Sequence, residues 1–246
     1  AVGYQALKGS DTESNNTGLY NTALGHKALT SVSSGSFNVA VGSRSLMSNT
    51  SGIQNTAIGD NAMSENTTGK WNVALGAGAL KNNLSGFSST AIGLSSLGAN
   101  TTGLRNVAVG VNSLKMNTVG SANVAIGHSA LRDMSGVNTV TSIADNFSYS
   151  PSSENTAVGN FSMMHNTEGS FNTAFGYSSL QYNTTGFNNT SIGIYTLFQN
   201  YGGVSNTALG SFALNGVQNG MNNVAVGSGS GQDLANNSSN NTFLGS

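Results

Sequence analysis

The sequence predicts an all-β protein, a parallel β-solenoid or β-roll in which each repeat forms one coil. The pentapeptide NTALG at residue 21 returns every 17 residues as NVAVG at 38, NTAIG at 55, NVALG at 72, STAIG at 89, NVAVG at 106 and NVAIG at 123, and the step resumes from 155. Glycine occurs twice in each repeat among β-branched residues, which disfavours helix and favours short strands joined by turns. A fixed step sustained over a whole chain is typical of solenoid proteins.

Each repeat is numbered here from its first asparagine, so that Asn21 is position 1. The 17 positions read approximately N-[TV]-A-[VIL]-G-x-x-[AS]-L-x-x-N-T-[TS]-G-x-x. Positions 1 to 4 and 8 to 14 are predicted to be the two strands of each coil. The sequence predicts about 14 such coils in a single repeat domain, 1–246.

Three stretches depart from the step and are predicted to be irregular coils. Residues 1–20 carry an insertion, residues 131–154 hold the one proline, Pro151, and residues 227–240 belong to an 18-residue repeat. A degenerate coil at 138–154 would bring the repeat at 155 back into register. Because proline cannot donate to a ladder, we expect that coil to be bulged or looped out.

Alternation along the first strand places positions 2 and 4 on one face and position 3 on the other. The large side chains at position 4, such as Ile58 and Ile92, are predicted to form one core column, and those at position 9, such as Leu80 and Leu97, the facing one. Asparagines at positions 1 and 12 are predicted to stack as amide ladders. The position-5 glycines are predicted to mark a turn that needs positive φ. They include Gly25, Gly42, Gly59 and Gly76.

Strings such as NTAIGDNAMSENTTGKWNVALGAGAL resemble the arrays of bacteriophage tail-fibre proteins and the head domains of trimeric autotransporter adhesins. The resemblance covers nearly the whole chain, although the 17-residue step is longer than in typical adhesin heads. It implies a left-handed β-roll and a homotrimer. The small position-3 residue would then suit contact with another protomer, and the alternative is that alanine merely fits a thin coil. The residues predicted for trimer contact are Ala57, Ala74, Ala91 and Ala108.

Composition argues against several classes of partner. Only 7% of the residues are charged and the net charge is -1, so the chain lacks the cationic face that nucleic acid or an anionic membrane would require. No apolar run approaches the roughly 20 residues of a membrane span. With no cysteine, the fold has no disulfides. We therefore expect neither nucleic-acid binding nor membrane insertion.

The sequence also offers little support for catalysis. His26, His128 and His165 are predicted to be isolated surface imidazoles, and the nine acidic residues form no recurring pair of the kind that glycosidases need. Nucleotide-binding glycine loops and zinc-protease motifs do not occur. The prediction is a protein that is not an enzyme and uses no cofactor or metal.

Aromatic residues concentrate in the later repeats, at positions that the coil itself does not need. Phe161, Tyr195 and Phe212 occupy position 7, and Tyr177 occupies position 6. Sugar rings stack on such side chains, and nearby amides can bind their hydroxyls. These four residues are therefore the predicted contact surface for a neutral glycan or a receptor. The alternative is that they pack against a neighbouring protomer.

Three function classes follow from these patterns. The first is an extracellular attachment fibre or adhesin head, on a virion or a cell surface, that binds a cell-surface glycan or protein receptor. The second is a purely structural, self-assembling extracellular fibre or spacer. The third is an ice-binding protein, suggested by threonines at position 13 beside asparagines at position 12. Those threonines are Thr50, Thr67, Thr101 and Thr118.

Overall fold

The computed structural model describes residues 1–9, 16–135 and 153–245, which group into two compact units, 1–119 and 120–246. Both units are all-β and have the same architecture, a stack of coils whose strands form a parallel sheet. This confirms the predicted parallel β-solenoid. Within the described ranges no helix is long and apolar enough to cross a membrane.

The first unit contains six three-residue strands that pair in chain order. Each pair is in exact repeat register, as in Ala40 opposite Ala57 and Ala57 opposite Ala74. An isolated parallel bridge between Val2 and Leu24 adds one further coil before the first strand. The strands are β1 (Thr22–Leu24), β2 (Val39–Val41), β3 (Thr56–Ile58), β4 (Val73–Leu75), β5 (Thr90–Ile92) and β6 (Val107–Val109).

The second unit contains seven strands of the same length, again paired in chain order. They are β7 (Val124–Ile126), β8 (Thr156–Val158), β9 (Thr173–Phe175), β10 (Thr190–Ile192), β11 (Thr207–Leu209), β12 (Val224–Val226) and β13 (Thr242–Leu244). The last pair joins Val224 to Thr242, as the predicted 18-residue repeat requires.

The step between β7 and β8 corrects one prediction. Val124 pairs directly with Thr156, so no coil is stacked between these two strands. The degenerate coil predicted at 138–154 therefore does not stand between β7 and β8 in the sheet. Residues 136–152 themselves lie outside the described residues. Those that are described form 13 strands, where about 14 coils were predicted.

Each coil has one strand rather than two. Strand residues occupy positions 2 to 4, whereas positions 8 to 14 form successive turns, so the second predicted strand is wrong. The reason lies in the backbone. Position 9 takes a left-handed conformation in every regular coil, for example at Leu80 with φ 50° and Leu97 with φ 51°. A residue in that region cannot continue an extended strand.

The strand side chains that point into the coil are the opposite of those predicted. The position-3 alanines are fully buried inside the coil, whereas Ile58 and Ile92 at position 4 are each 37% exposed. Leu80 and Leu97 at position 9 are fully buried, as predicted. Placing Ile58 and Ile92 in the core was therefore wrong. The reason is that the asparagine at position 1 points inward, and alternation then turns position 3 inward and positions 2 and 4 outward.

The same burial corrects the predicted trimer contact. A side chain enclosed by its own coil cannot touch another protomer. The alanines instead fit the narrow interior, which was the alternative interpretation of this column. The residues concerned are Ala57, Ala74, Ala91 and Ala108.

The position-5 glycines have the positive φ that the sequence predicted. Gly25, Gly42, Gly59 and Gly76 have φ of 136°, 126°, 138° and 137°. Space is as restrictive as conformation, because a Cβ on Gly59 would lie 2.6 Å from the carbonyl carbon and oxygen of Gly76 in the next coil. This position therefore excludes every other residue type.

Both predicted asparagine ladders are present. At position 1, the Asn55 side-chain amide donates to Asn38 Oδ1 at 3.1 Å and to the Gly69 carbonyl at 2.8 Å. At position 12, the Asn66 amide donates to Asn49 Oδ1 at 2.7 Å and to the same Gly69 carbonyl at 3.3 Å. The two ladders thus meet at the position-15 glycine, and these asparagines are fully buried.

The position-12 ladder breaks where the sequence changes. Asn200 donates to Asn183 Oδ1 at 2.8 Å, but the next coil has the buried Val217 at this position. Asn200 Oδ1 is consequently one of the few buried side-chain oxygens in the described residues that has no hydrogen bond.

The corrected facing predicts opposite outcomes for two neighbouring truncations. Leu97→Ala removes a fully buried side chain and should lower the free energy of unfolding by about 2 to 5 kcal/mol. Ile92→Ala removes an outward side chain and should cost less than about 1 kcal/mol in the monomer. Chemical denaturation at low protein concentration would measure both. Equal losses would contradict the assignment of the two faces.

Asn83→Val should destabilise the chain by about 1 to 3 kcal/mol or more, because it leaves a buried amide oxygen without a donor. Asn83 donates to Asn66 Oδ1 at 2.8 Å and accepts from Asn100 at 2.8 Å. Val217→Asn is the matched control, since it offers Asn200 Oδ1 a donor and should cost clearly less. If both variants unfold at the same denaturant concentration, the ladders do not carry this stability.

Candidate binding surface

The four aromatic residues predicted as a contact surface follow the strands of the second unit. Tyr177 comes directly after the turn glycine of its coil, and Phe161, Tyr195 and Phe212 lie one position further on. These three have left-handed backbones, with φ of 59°, 54° and 59°. The turn directs position 7 outward before the chain re-enters the core at positions 8 and 9.

The structure brings the four rings into one continuous row. The Phe161 and Tyr177 centroids are 5.8 Å apart and those of Tyr177 and Tyr195 are 5.5 Å apart, both edge to face. Tyr195 stacks on Phe212 at 5.4 Å. These are ordinary distances for favourable aromatic pairs. The row remains accessible, since Tyr177 is 43% and Phe212 40% exposed.

The coil does not need aromatic residues at these positions. In the first unit, position 7 is polar or glycine in every repeat from residue 21 onwards, namely Lys27, Arg44, Asn61, Gly78, Ser95 and Asn112. A bulky residue in the left-handed region is unfavourable by about 1 to 3 kcal/mol. Three of them at the surface within four successive coils therefore point to a role other than stability.

A second line of side chains branches from this row. Phe198 lies 5.2 Å from Tyr195 and 5.0 Å from Tyr182, and Tyr182 stacks on His165 at 4.9 Å. His165 Nδ1 is 2.9 Å from Asp133 Oδ2. The surface thus passes from aromatic rings to a charged group at one edge. We call the rings and His165 together the aromatic surface.

The charged edge is internally neutralised. Arg132 donates from Nε to Asp133 Oδ1 at 2.6 Å and from Nη2 to Oδ2 at 2.8 Å. The Arg132 hydrogen bond holds the pKa of the Asp133 carboxyl below its ordinary value, although burial opposes this effect. On the rings, partial burial and a hydrogen bond with Tyr177 raise the pKa of the Tyr195 phenol. At neutral pH the Tyr195 phenol is therefore uncharged.

The prediction that the histidines are isolated is wrong for all three. His26 stacks on Tyr4 at 5.6 Å. His128 packs edge to face on Phe161 at 5.3 Å and thereby extends the aromatic row by one coil, and His165 joins its other branch. In the ranges that the structure covers, no group of three or more His, Cys, Asp or Glu side chains could hold a metal ion.

Sequence reasoning missed the contacts of His128 and Asp133 for one reason. Both residues lie in the coil of β7, and each contacts a residue 32 or 33 positions later because β7 pairs directly with β8. A degenerate coil at 138–154 would have separated these residues. The signal that could have found the pairing is Pro151, which argues against a strand in this segment.

The pattern behind the ice-binding hypothesis is altered by the structure. The position-12 asparagines, including Asn49, Asn66 and Asn100, are fully buried and cannot face ice. The threonine hydroxyls donate to the carbonyl one coil further on, as from Thr50 to Thr67 at 3.2 Å and from Thr67 to Leu84 at 2.9 Å. These hydroxyls already serve the stack, which weakens this hypothesis.

Comparisons of this chain with protein families, with curated proteins and with solved structures gave no match. The function of the chain is therefore inferred from the chemistry of its surfaces.

Proposed function

We propose that this chain is the receptor-contacting part of an extracellular attachment fibre or adhesin head, on a virion or a cell surface. Its aromatic surface would bind a neutral glycan or a protein receptor. The observation that carries the proposal is the exposed row of Phe161, Tyr177, Tyr195 and Phe212, three of which lie at a position that is polar or glycine throughout the first unit. The similarity of the repeats to tail-fibre and adhesin arrays supports the same function.

The chemistry of the row suits a ligand with apolar C–H faces and hydroxyl groups. Aromatic rings bury such faces, and the phenol groups of Tyr177 and Tyr195 can exchange hydrogen bonds with hydroxyls. The one nearby cation, Arg132, is already paired with Asp133. An uncharged ligand therefore fits this surface better than an anionic one.

Tyr177→Ala and Tyr195→Ala should each weaken binding to cells or to an arrayed glycan at least about tenfold, the loss expected for a central aromatic contact. Tyr201→Ala is the matched control, because Tyr201 is 40% exposed in the same unit and outside the aromatic surface. It should bind like the wild type.

The alternative interpretation gives a different result. If Tyr177→Ala and Tyr195→Ala instead dissociate an oligomer, the rings pack against another protomer. If binding survives both substitutions, the aromatic surface is not the receptor site.

We also propose that copies of the chain associate, as a homotrimer, through the outward face of the sheet. In the first unit this face carries Leu24, Ile58, Leu75 and Ile92 at position 4, all more than a third exposed. Positions 2 and 4 carry no charged residue in any strand of either unit. This uncharged face has an apolar column at position 4 that repeats at the spacing of about 4.8 Å between strands, so it matches a second copy of itself in period. Self-association would serve an attachment fibre or a purely structural spacer equally.

Leu75→Arg should dissociate such an oligomer while leaving the coil folded, because Leu75 is 41% exposed and points outward. Sedimentation would report the mass and circular dichroism the fold. Asn82→Arg, at an exposed site of the same coil away from this face, should leave the mass unchanged. Ala74→Arg should unfold the coil rather than dissociate it. A wild-type protein that sediments as a monomer at micromolar concentration would contradict the proposal.

Ice binding is the weakest of the three hypotheses, since half of its residue pattern is buried. Thermal hysteresis in a solution of the protein would support ice binding.

A further inference from the structure

The first unit has an aromatic site of its own, distant in sequence from the aromatic surface. Trp71, the one tryptophan of the chain, is 51% exposed at position 17. Its indole Nε1 donates to Gln54 Oε1 at 2.8 Å, and its ring meets that of Phe87 at 6.2 Å and 88°. The two perpendicular rings form a corner, and the hydrogen bond fixes the indole in place.

This corner is part of an open groove of about 520 Å³. The groove is lined by Ser51, Thr68, Lys70, Trp71, Ser85 and Phe87. It combines a flat indole face, a second ring as a wall, three hydroxyl groups and one ammonium group. No acidic residue lines it.

The polar groups of the groove are available to a ligand. Neither ion pair of the described residues involves Lys70, which is exposed. The hydroxyls of Thr67 and Thr50, one residue before Thr68 and Ser51, are used within the stack, but the Thr68 and Ser85 side chains are exposed to solvent. Donors and an unpaired positive charge thus surround an apolar platform.

The coil does not require a tryptophan here. Position 17 has a left-handed backbone, with φ 58° at Trp71, and the neighbouring coils place Gln54 and Ser88 in the same conformation. Bulky residues are unfavourable in this region. An exposed indole held in a strained backbone conformation, beside a free cation, is an arrangement typical of a binding site.

We propose that this groove binds a saccharide that carries a carboxylate, such as a uronic or sialic acid residue. The C–H face of the sugar stacks on the Trp71 indole and against the Phe87 ring. The Lys70 ammonium receives the carboxylate, and the Ser and Thr hydroxyls bind the sugar hydroxyls. This site goes beyond the aromatic surface, which suits an uncharged ligand, and does not depend on it.

Trp71 makes the test direct, because tryptophan-selective fluorescence of this chain reports on the groove alone. Titration with methyl glucuronoside should give a saturable change at millimolar concentration. The neutral methyl glucoside should bind roughly threefold to tenfold more weakly, as expected for one charge-assisted contact near solvent. Added salt should reduce the preference for the charged sugar.

Four variants locate the effect. Lys70→Gln should lower the affinity for the glucuronoside to that for the glucoside, and Phe87→Ala should weaken both. Lys81→Gln, which removes an exposed lysine outside the groove, should change neither. Tyr177→Ala should also leave the titration unchanged, so that failure at this groove is distinguishable from failure at the aromatic surface.

Saturation-transfer NMR on the same sugars would detect binding that does not change the Trp71 fluorescence. Equal affinity for the two sugars, or a preference that persists in Lys70→Gln, would show that the lysine does not select a carboxylate. Absence of saturable binding by both methods would overturn the site.

Discussion

The asparagine amide ladders are the interaction on which the rest of this structure depends. Backbone bonds join neighbouring coils in the strands and in the turns, as from the Leu46 amide to the Ala62 carbonyl at 3.0 Å. Side-chain amides at positions 1 and 12 add bonds inside the coil, since each joins one coil to the next and both bind the same glycine carbonyl. A buried amide left without a partner is costly, so an asparagine in one coil favours an asparagine at the same position in the next.

The ladders also explain how far the sequence predicts the fold. The repeat step, the turn glycines and the two asparagine columns could be predicted from the sequence because each recurs at one position. The inward face of the strand could not be predicted, because alternation alone does not show which side of a strand is the interior. Hydrophobicity favoured the larger residue at position 4 over Ala91 or Ala108. Variation within the repeats could have identified position 4 as outward-facing. This position ranges from Val41 to Phe175, and a closed interior of fixed width could not accommodate both side chains.

The candidate site was predicted in part for a similar reason. Phe161, Tyr195 and Phe212 share position 7, so their proximity followed from the period. The contacts of His128 and Asp133 could not be predicted in this way, because the 17-residue step is interrupted between β7 and β8. The groove at Trp71 joins positions 14, 16 and 17 of three coils, which lie close only once the turns are known. The corners of a coil are formed by residues with a left-handed backbone conformation, and the sequence does not mark which residues adopt it.

Those left-handed residues have a consequence for how the chain reaches its structure. Most regular coils hold non-glycine residues with φ near 50° to 60° at positions 7, 9 and 17, as at Asn61, Met63 and Trp71. Local preference opposes that conformation, so a lone repeat peptide has nothing to hold it. A coil that forms against an existing one meets carbonyls and amides already in place. We therefore expect growth to be templated. The first two coils to form would be the nucleus, and added repeats would lengthen the stack without making that nucleus harder to form.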